Sequence, residues 1–394
     1  MWLGLEIYNH LQMRHLTWAF THTIIHAQGG FMRRRLLVVI FSLAVLAALP
    51  GLAQAAKLKV AFALLGTIND QGWNHAHYLG IEELKKQLGD KIEVSYTENV
   101  QAADAERVFR QYAQDGYDII FGTTFEHMDP MLQVAKDFPK TIFEHCSGYK
   151  TAPNMGNYMA RIEQGEYLVG YMAGLMGYDN VGTVATNPIP EPIRGINGFT
   201  HGLLRGLKES GAKYNPDSVN TVVWLKSWRD PIGETTMSEA LVQRGCTLIR
   251  QMADTPDASL AACAKNVPAI GYGADAAEFG AKCVLVSTIW NWGQFYVKLV
   301  QAKLDGTLKP EELYWGFEKD AIKLSGFGEK VPAAVRQKVL AELELMKKGE
   351  DNSFLGPMAD QAGKVMIPEG KRASVQELYT MRWLLKGVSG KLPE

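Results

Sequence analysis

Residues 58–64 form a short apolar run without Gly or Pro, the pattern of a buried strand. From Trp73 to Leu88, apolar positions at Leu79, Ile81, Leu84 and Leu88 recur at helical spacing, with Glu82, Glu83, Lys85 and Lys86 turned outward. The loop between them, residues 66–74, sets an aromatic and an amide, Trp73 and Asn74, beside a helix N-terminus. In an open parallel sheet, ligands sit at the carboxyl ends of the strands. Two roles are open to the pair: core ring and helix cap, or ligand face and ligand edge. The neighbouring Asn69, Asp70 and Gln71 read as turn and solvent edge.

The same alternation continues. Strands are expected at 91–96, 117–122 and 141–144, with helices at 104–114 and from Asp129 through 138. A helix at 163–176 carries Gly165, Gly170 and Gly174 on roughly one face, as a helix packed closely on a neighbour would. Strands follow at 181–185, 221–225, 247–252, 269–272 and 284–288, with helices at 193–210, 232–244, 259–265, 292–305 and 332–348. Strand–helix alternation of this kind implies right-handed crossovers and parallel sheets covered on both faces. The fold class is α/β, with two doubly wound lobes. The expected lobes are 57–160, with a returning segment near 289–310, and 163–288. Residues 311–394 form a C-terminal segment packed across them, ending in a short helix at 377–385.

Arg33, Arg34 and Arg35 precede an apolar run at 36–49, a Pro50-Gly51 break, and Ala53-Gln54-Ala55. This is the layout of a signal peptide over 32–55, cleaved after Ala55. Met32 stands directly before the arginines, so residues 1–31 are expected to stem from a start codon placed too far upstream. No Cys marks a lipid attachment point at the cleavage site, and a periplasmic location without an anchor is expected.

Charge changes the picture little: 41 basic residues against 42 acidic ones give no reason to expect a nucleic-acid or polybasic membrane partner. The four cysteines, Cys146, Cys246, Cys263 and Cys283, fit no zinc spacing, and free thiols or one disulfide are both open. Signatures for nucleophilic, phosphate-loop or zinc-protease chemistry are missing from the sequence. His75 and His77 lie two apart, on different sides of a helix, and His127 and His145 are isolated in sequence. No catalytic residue, metal or cofactor is expected.

What recurs is an aromatic beside polar groups at strand ends: Trp73 with Asn74, Phe125 with Glu126, Trp228 with Asp230, and Trp290 with Asn291. Aromatics facing across a cleft suit a flat ligand, and stacking on a base contributes roughly 1–3 kcal/mol. Carboxylates and amides at the rim would read its edge, and a purine offers such an edge. Asp129-Pro130 and Asp230-Pro231 are also good helix starts, Asp at the cap and Pro at the first position. Glu126 and Glu191 are poor caps, which favours a ligand role for them; Arg194 is a partner within reach of Glu191.

From about Lys57 to Lys348 the chain resembles the basic membrane protein family of ABC-transporter substrate-binding proteins, which includes purine nucleoside receptors. The matching stretches are Gly72-Trp73-Asn74, the segment from Asp129-Pro130 to Pro139, Pro190-Glu191 to Gly202, residues 227–231 and Gly273-Ala274-Asp275. The resemblance implies a type I periplasmic binding protein fold, two lobes closing on a ligand about a hinge. It also implies a base held between Trp73 and Trp228, its edge read by Asn74 and Asp129, and a ribose held by Asp275. Where the family carries a sugar-contacting Lys, this chain has Trp290. A bulky ring there would fill the ribose space, so a free purine base, adenine first, is expected over a nucleoside. The implied partners are that ligand and a membrane permease, and the protein is expected to act as a monomer. An extracytoplasmic sensor subunit of the same fold and, further off, a nucleoside hydrolase are the alternatives.

Overall fold

A computed structural model describes residues 56–393. The expected signal segment at 32–55 and the stretch 1–31 lie outside the described residues.

Six strands make the first sheet, in the order β2-β1-β3-β4-β5-β11 and parallel throughout. They are β1 (Leu58–Ala63), β2 (Ile92–Thr97), β3 (Ile119–Gly122), β4 (Ile142–Cys146), β5 (Met155–Ala160) and, much later in the chain, β11 (Glu312–Trp315). The connections are α1 (Trp73–Leu88), α2 (Ala102–Gln114) and α3 (Met128–Asp137). Val60, Phe62, Ile119 and Phe121 are fully buried, as parallel strands covered on both faces require.

The second sheet runs β15-β7-β6-β8-β9-β10-β12, and β12 alone is antiparallel to its neighbour. Its strands are β6 (Val181–Ala185), β7 (Ser218–Trp224), β8 (Leu248–Met252), β9 (Ala269–Gly273), β10 (Val284–Trp290), β12 (Ile322–Leu324) and β15 (Gly387–Ser389). Helices α4 (Ile162–Leu175), α5 (Pro190–Ser210), α6 (Pro231–Gln243) and α7 (Asp257–Ala264) link them. The chain passes between the sheets three times: from β5 into α4, from β10 into α8 (Gly293–Leu304), which packs on α1, and from β11 to β12.

Two of the three glycines of the expected face, Gly170 and Gly174, pack against a neighbouring helix, whereas Gly165 faces Thr288 of β10. A methyl group on Gly170 or Gly174 would run into the backbone of α5, and one on Gly202 or Gly206 into the backbone of α4. The two helices touch main chain to main chain.

The C-terminal segment differs from expectation. After α9 (Ala333–Lys347) and a small hairpin of β13 (Met358–Ala359) and β14 (Val365–Ile367), the last helix, α10, covers only Val375–Tyr379. A capping box between Ser374 and Glu377 starts it early. It cannot run on to 385, because Asn197 of α5 takes the backbone there: its side-chain amide donates to the Trp383 carbonyl (2.8 Å) and its oxygen accepts from Leu385 N–H (2.8 Å). The expected strands also omit β5. Met-Gly-Asn-Tyr-Met-Ala is poor in β-branched residues, yet every one of its positions is buried.

Cys263 and Cys283 form a disulfide, while Cys146 and Cys246 are free and buried.

Candidate functional site

Loops at the carboxyl ends of strands from both sheets converge on one cavity. The first lobe contributes Leu65 after β1, Trp73 at the start of α1, Thr124 and Phe125 after β3, and Ser147 after β4. The second contributes Thr186, Ile189 and Glu191 after β6, Trp228 after β7, Asp254 after β8 and Tyr272 at the end of β9.

Trp73 is held by its indole N–H, which donates to the Thr123 carbonyl at 2.8 Å. Its ring stands edge-on to Trp290 and Trp292, centroids 5.3 and 5.2 Å away. Trp228 reaches across the cleft, and its indole N–H donates to Glu126 Oε1 at 3.1 Å. The other oxygen of Glu126 accepts from the Thr124 hydroxyl at 2.6 Å.

Glu191 accepts from the Tyr272 hydroxyl at 2.6 Å. Burial raises its carboxyl above the usual range, opposed by Arg194 and by that hydrogen bond. Asp254 is pushed well above the usual carboxylate range, first by burial and then by the negative charges of Asp70, Glu191, Glu234 and Glu126. Among the described residues no Lys or Arg lines this cavity.

The lobes stand closed. Gly72 lies against the main chain of Asp254, with no space between them for a side-chain carbon. His75 of α1 meets Phe279 of the second lobe edge-on at 5.4 Å. The interior open to water is about 30 Å³, room for two or three molecules at roughly 10–15 Å³ each.

Of the residues singled out from the sequence, Trp73, Phe125, Glu191 and Trp228 line the cavity, and Glu126 holds its rim. Trp290 stands behind Trp73, 3% exposed and stacked on Trp292 at 4.9 Å. Asn74 is buried: its oxygen accepts from Gly66 N–H (2.9 Å), and its amide donates to Asp70 (2.7 Å). Asp129 is exposed and paired with Lys150 at 2.6 Å. It lies inside α3 rather than capping it. Asp230 does cap α6, accepting from Gly233 N–H at 2.9 Å. Asp275 accepts from Ala277 N–H at 3.1 Å, and Asn291 donates to the Asp320 carbonyl at 2.5 Å. None of Asn74, Asp129, Asp230, Asp275 and Asn291 is among the lining residues.

Asp70 corrects its reading as solvent edge. It is 4% exposed and accepts from the backbone N–H groups of Gly72, Asn74 and His75 at 2.9–3.0 Å, satisfying the free donors at the start of α1. Asn69 and Gln71 of that turn are exposed, as expected. The cap is therefore Asp70, and Asn74 braces it.

Asp254 and Tyr272 are among the lining residues that sequence reasoning missed, along with Leu65, Thr124, Ser147, Thr186 and Ile189. A signal was present, since an acid two residues past the end of β8 sits where a parallel sheet puts its ligand contacts. No aromatic stands beside Asp254 in the sequence, so the aromatic–polar pattern does not include it.

A larger groove, about 770 Å³, runs between α5 and the C-terminal segment, and none of the strand-end residues lines it. Among the described residues no helix is long and apolar enough to cross a membrane.

Comparison with known proteins places this architecture. The chain is 37% identical over 341 residues to a purine-binding protein of Brucella abortus, covering 86% of this chain and 95% of that one. It is 35% identical over 344 residues to a putative ABC transporter glucose-binding protein of Haloferax volcanii, covering 87% and 83%. An ABC transporter solute-binding protein from Conexibacter woesei superimposes with a TM-score of 0.60 at 25% identity, over 74% of this chain and 97% of that one. One from Aeropyrum pernix, at 17% identity, shares the fold with a TM-score of 0.64 over 74% and 92%. Residues 57–352 match the Bmp family model, described as ABC transporter substrate-binding protein PnrA-like, and the chain belongs to that family.

Proposed function

We propose that this substrate-binding protein captures a purine, adenine first, between its lobes and delivers it to a membrane permease of its ABC transporter. The observation that carries the reading is that Trp73 and Trp228 line one cavity from opposite lobes, together with two carboxyl groups and no basic side chain. Indole faces supply stacking, and carboxyls match a ligand rich in N–H donors. An anionic ligand finds no cation there. Burial and neighbouring acids raise the Asp254 carboxyl well above the usual range, and in its protonated form it would donate and accept side by side, as the amino group and adjacent ring nitrogen of adenine require.

The cavity is smaller than a purine, so the lobes stand further apart around the ligand than in this structure. Trp290, packed behind Trp73, supports a free base over a nucleoside. Trp73, Phe125, Glu126, Glu191, Trp228 and Asp254 are the proposed contacts. Capture and release by hinge motion need no reaction.

The Brucella relative's name supports the purine, and the Haloferax relative's name favours a second reading, a hexose stacked on the same rings. Calorimetric titration with adenine, guanine, adenosine and glucose separates them. Adenine binding alone or tightest bears out the proposal. Glucose binding without any purine establishes the other reading.

Export by cleavage after Ala55, a mature protein in the periplasm, and lobes bounded near 160 and 288 belong to the same proposal. The Cys263–Cys283 disulfide supports an oxidising compartment.

A further inference from the structure

Beside the base cavity lies a second compartment of about 490 Å³. The two share Phe125, Ser147, Ile189 and Glu191, so they adjoin. Its far wall is Gln376, Tyr379, Thr380 and Arg382, residues of the C-terminal segment beyond the family match at 352.

That wall is built into the fold. Asn197 fastens the backbone of Trp383 and Leu385, and Arg382 donates to the Pro188 carbonyl at 3.1 Å. β15 pairs parallel with β7. The Tyr379 ring packs 5.0 Å from Tyr314 and 5.6 Å from the Arg194 guanidinium. Among the described residues the buried Tyr379 hydroxyl has no hydrogen-bond partner.

The lining chemistry is balanced. Glu191 and Glu312 face Arg194 and Arg382, and Ser147, Gln376 and Thr380 add hydroxyl and amide groups. Such a surface favours a neutral group with several hydrogen-bonding positions over an ion of either sign. On the Trp290 side of the cavity, by contrast, two stacked indoles leave no such space.

We propose that this compartment is a second subsite of the binding cleft, taking a neutral, hydroxyl-bearing substituent of a purine whose ring lies between Trp73 and Trp228. The inference rests on the purine reading and extends the ligand class from free bases to substituted ones. The substituent leaves the base cavity past Phe125 and Glu191, and the C-terminal segment sets the size it can reach.

The test is calorimetric titration of the protein with adenine, N6-(2-hydroxyethyl)adenine and 9-(2-hydroxyethyl)adenine, repeated on Thr380→Trp and Gln376→Trp. Both substitutions fall on exposed positions of the segment, and an unchanged thermal midpoint verifies that they fold. At least one substituted base is expected to bind no more weakly than adenine. Each filled variant should weaken that ligand tenfold or more while adenine stays within twofold. Adenine binding with both substituted bases tenfold weaker overturns the subsite alone, as do filled variants that leave every affinity unchanged or lower all of them equally. Failure of all three ligands on the unaltered protein overturns the purine reading and the subsite with it.

Discussion

Gly72 and Asp254 meet across the cleft, main chain against main chain, and the contact leaves no space for a side chain on Gly72. Gly72 precedes the first residue of α1, and Asp254 follows β8, so two strand ends of different sheets touch only when the lobes close. A purine between Trp73 and Trp228 would part this contact, because the closed cavity is too small to hold it.

Gly72→Ala is therefore expected to hold the lobes apart. The radius of gyration of the ligand-free protein, read by small-angle scattering, should rise, while adenine affinity should stay within a few-fold, because the lobes already stand further apart around the ligand. The thermal midpoint without ligand should change little.

Trp73→Ala and Trp228→Ala each remove one face of the stack, and each should weaken adenine binding by about 1–3 kcal/mol, read by calorimetry. Trp228→Phe separates two contributions. It keeps a ring but loses the hydrogen bond to Glu126, so it should bind better than Trp228→Ala and close less firmly than the unaltered protein.

Stability should depend on pH through buried acids. Burial pushes Glu234 up to about 8 from an ordinary 4.5, helped by Asp257 and opposed by hydrogen bonds from Thr255 and the backbone. The native state thus holds a proton that the unfolded chain releases. The stabilisation is complete below about pH 4.5 and is lost as pH rises through about 8. Buried His127 and His145, lowered to about 4 and about 3, oppose this trend up to neutral pH, so thermal midpoints should fall between pH 7 and 9, and Glu234→Gln should flatten the slope there.

Closure should respond to pH in the same direction. Asp254 is raised by burial and by acids that include Asp70 and Glu126 of the opposite lobe, and opening relieves both causes. Closing therefore takes up a proton. Adenine affinity should weaken towards alkaline pH, and Asp254→Asn should remove most of that dependence.

The disulfide spans 20 residues of sequence, from the end of α7 to the residue before β10. Replacing both cysteines by Ser should lower stability by about 3 kcal/mol on chain-entropy grounds, measured by denaturant unfolding. Ligand affinity should stay within a few-fold, because neither residue lines the cavity.

Much of this architecture was legible because period and strand length are local properties. The apolar run at 58–64 and the helical spacing from Trp73 needed no tertiary information. What escaped was decided by partners distant in sequence. β5 is a strand because β4 and β11 flank it, although its own residues argue weakly for one. The last helix ends early because Asn197, nearly two hundred residues upstream, claims the backbone beyond it. Within the site, Trp73, Phe125 and Trp228 stood out as aromatics at strand ends. Asp254 is ordinary in sequence and becomes part of the site only when the second lobe folds over Gly72. Asn74 and Asp70 exchanged parts for a similar reason: a capping side chain is identified by which N–H groups it reaches, and Asp70 reaches three.

The most direct test is isothermal titration of the mature protein with adenine, guanine, adenosine and glucose. Adenine should bind at micromolar concentration or tighter, equivalent to about 8 kcal/mol, with adenosine weaker and glucose silent. Glucose binding without adenine binding would contradict the purine reading. Adenosine binding tighter than both bases would contradict the assignment of Trp290 as the residue that fills the sugar's place.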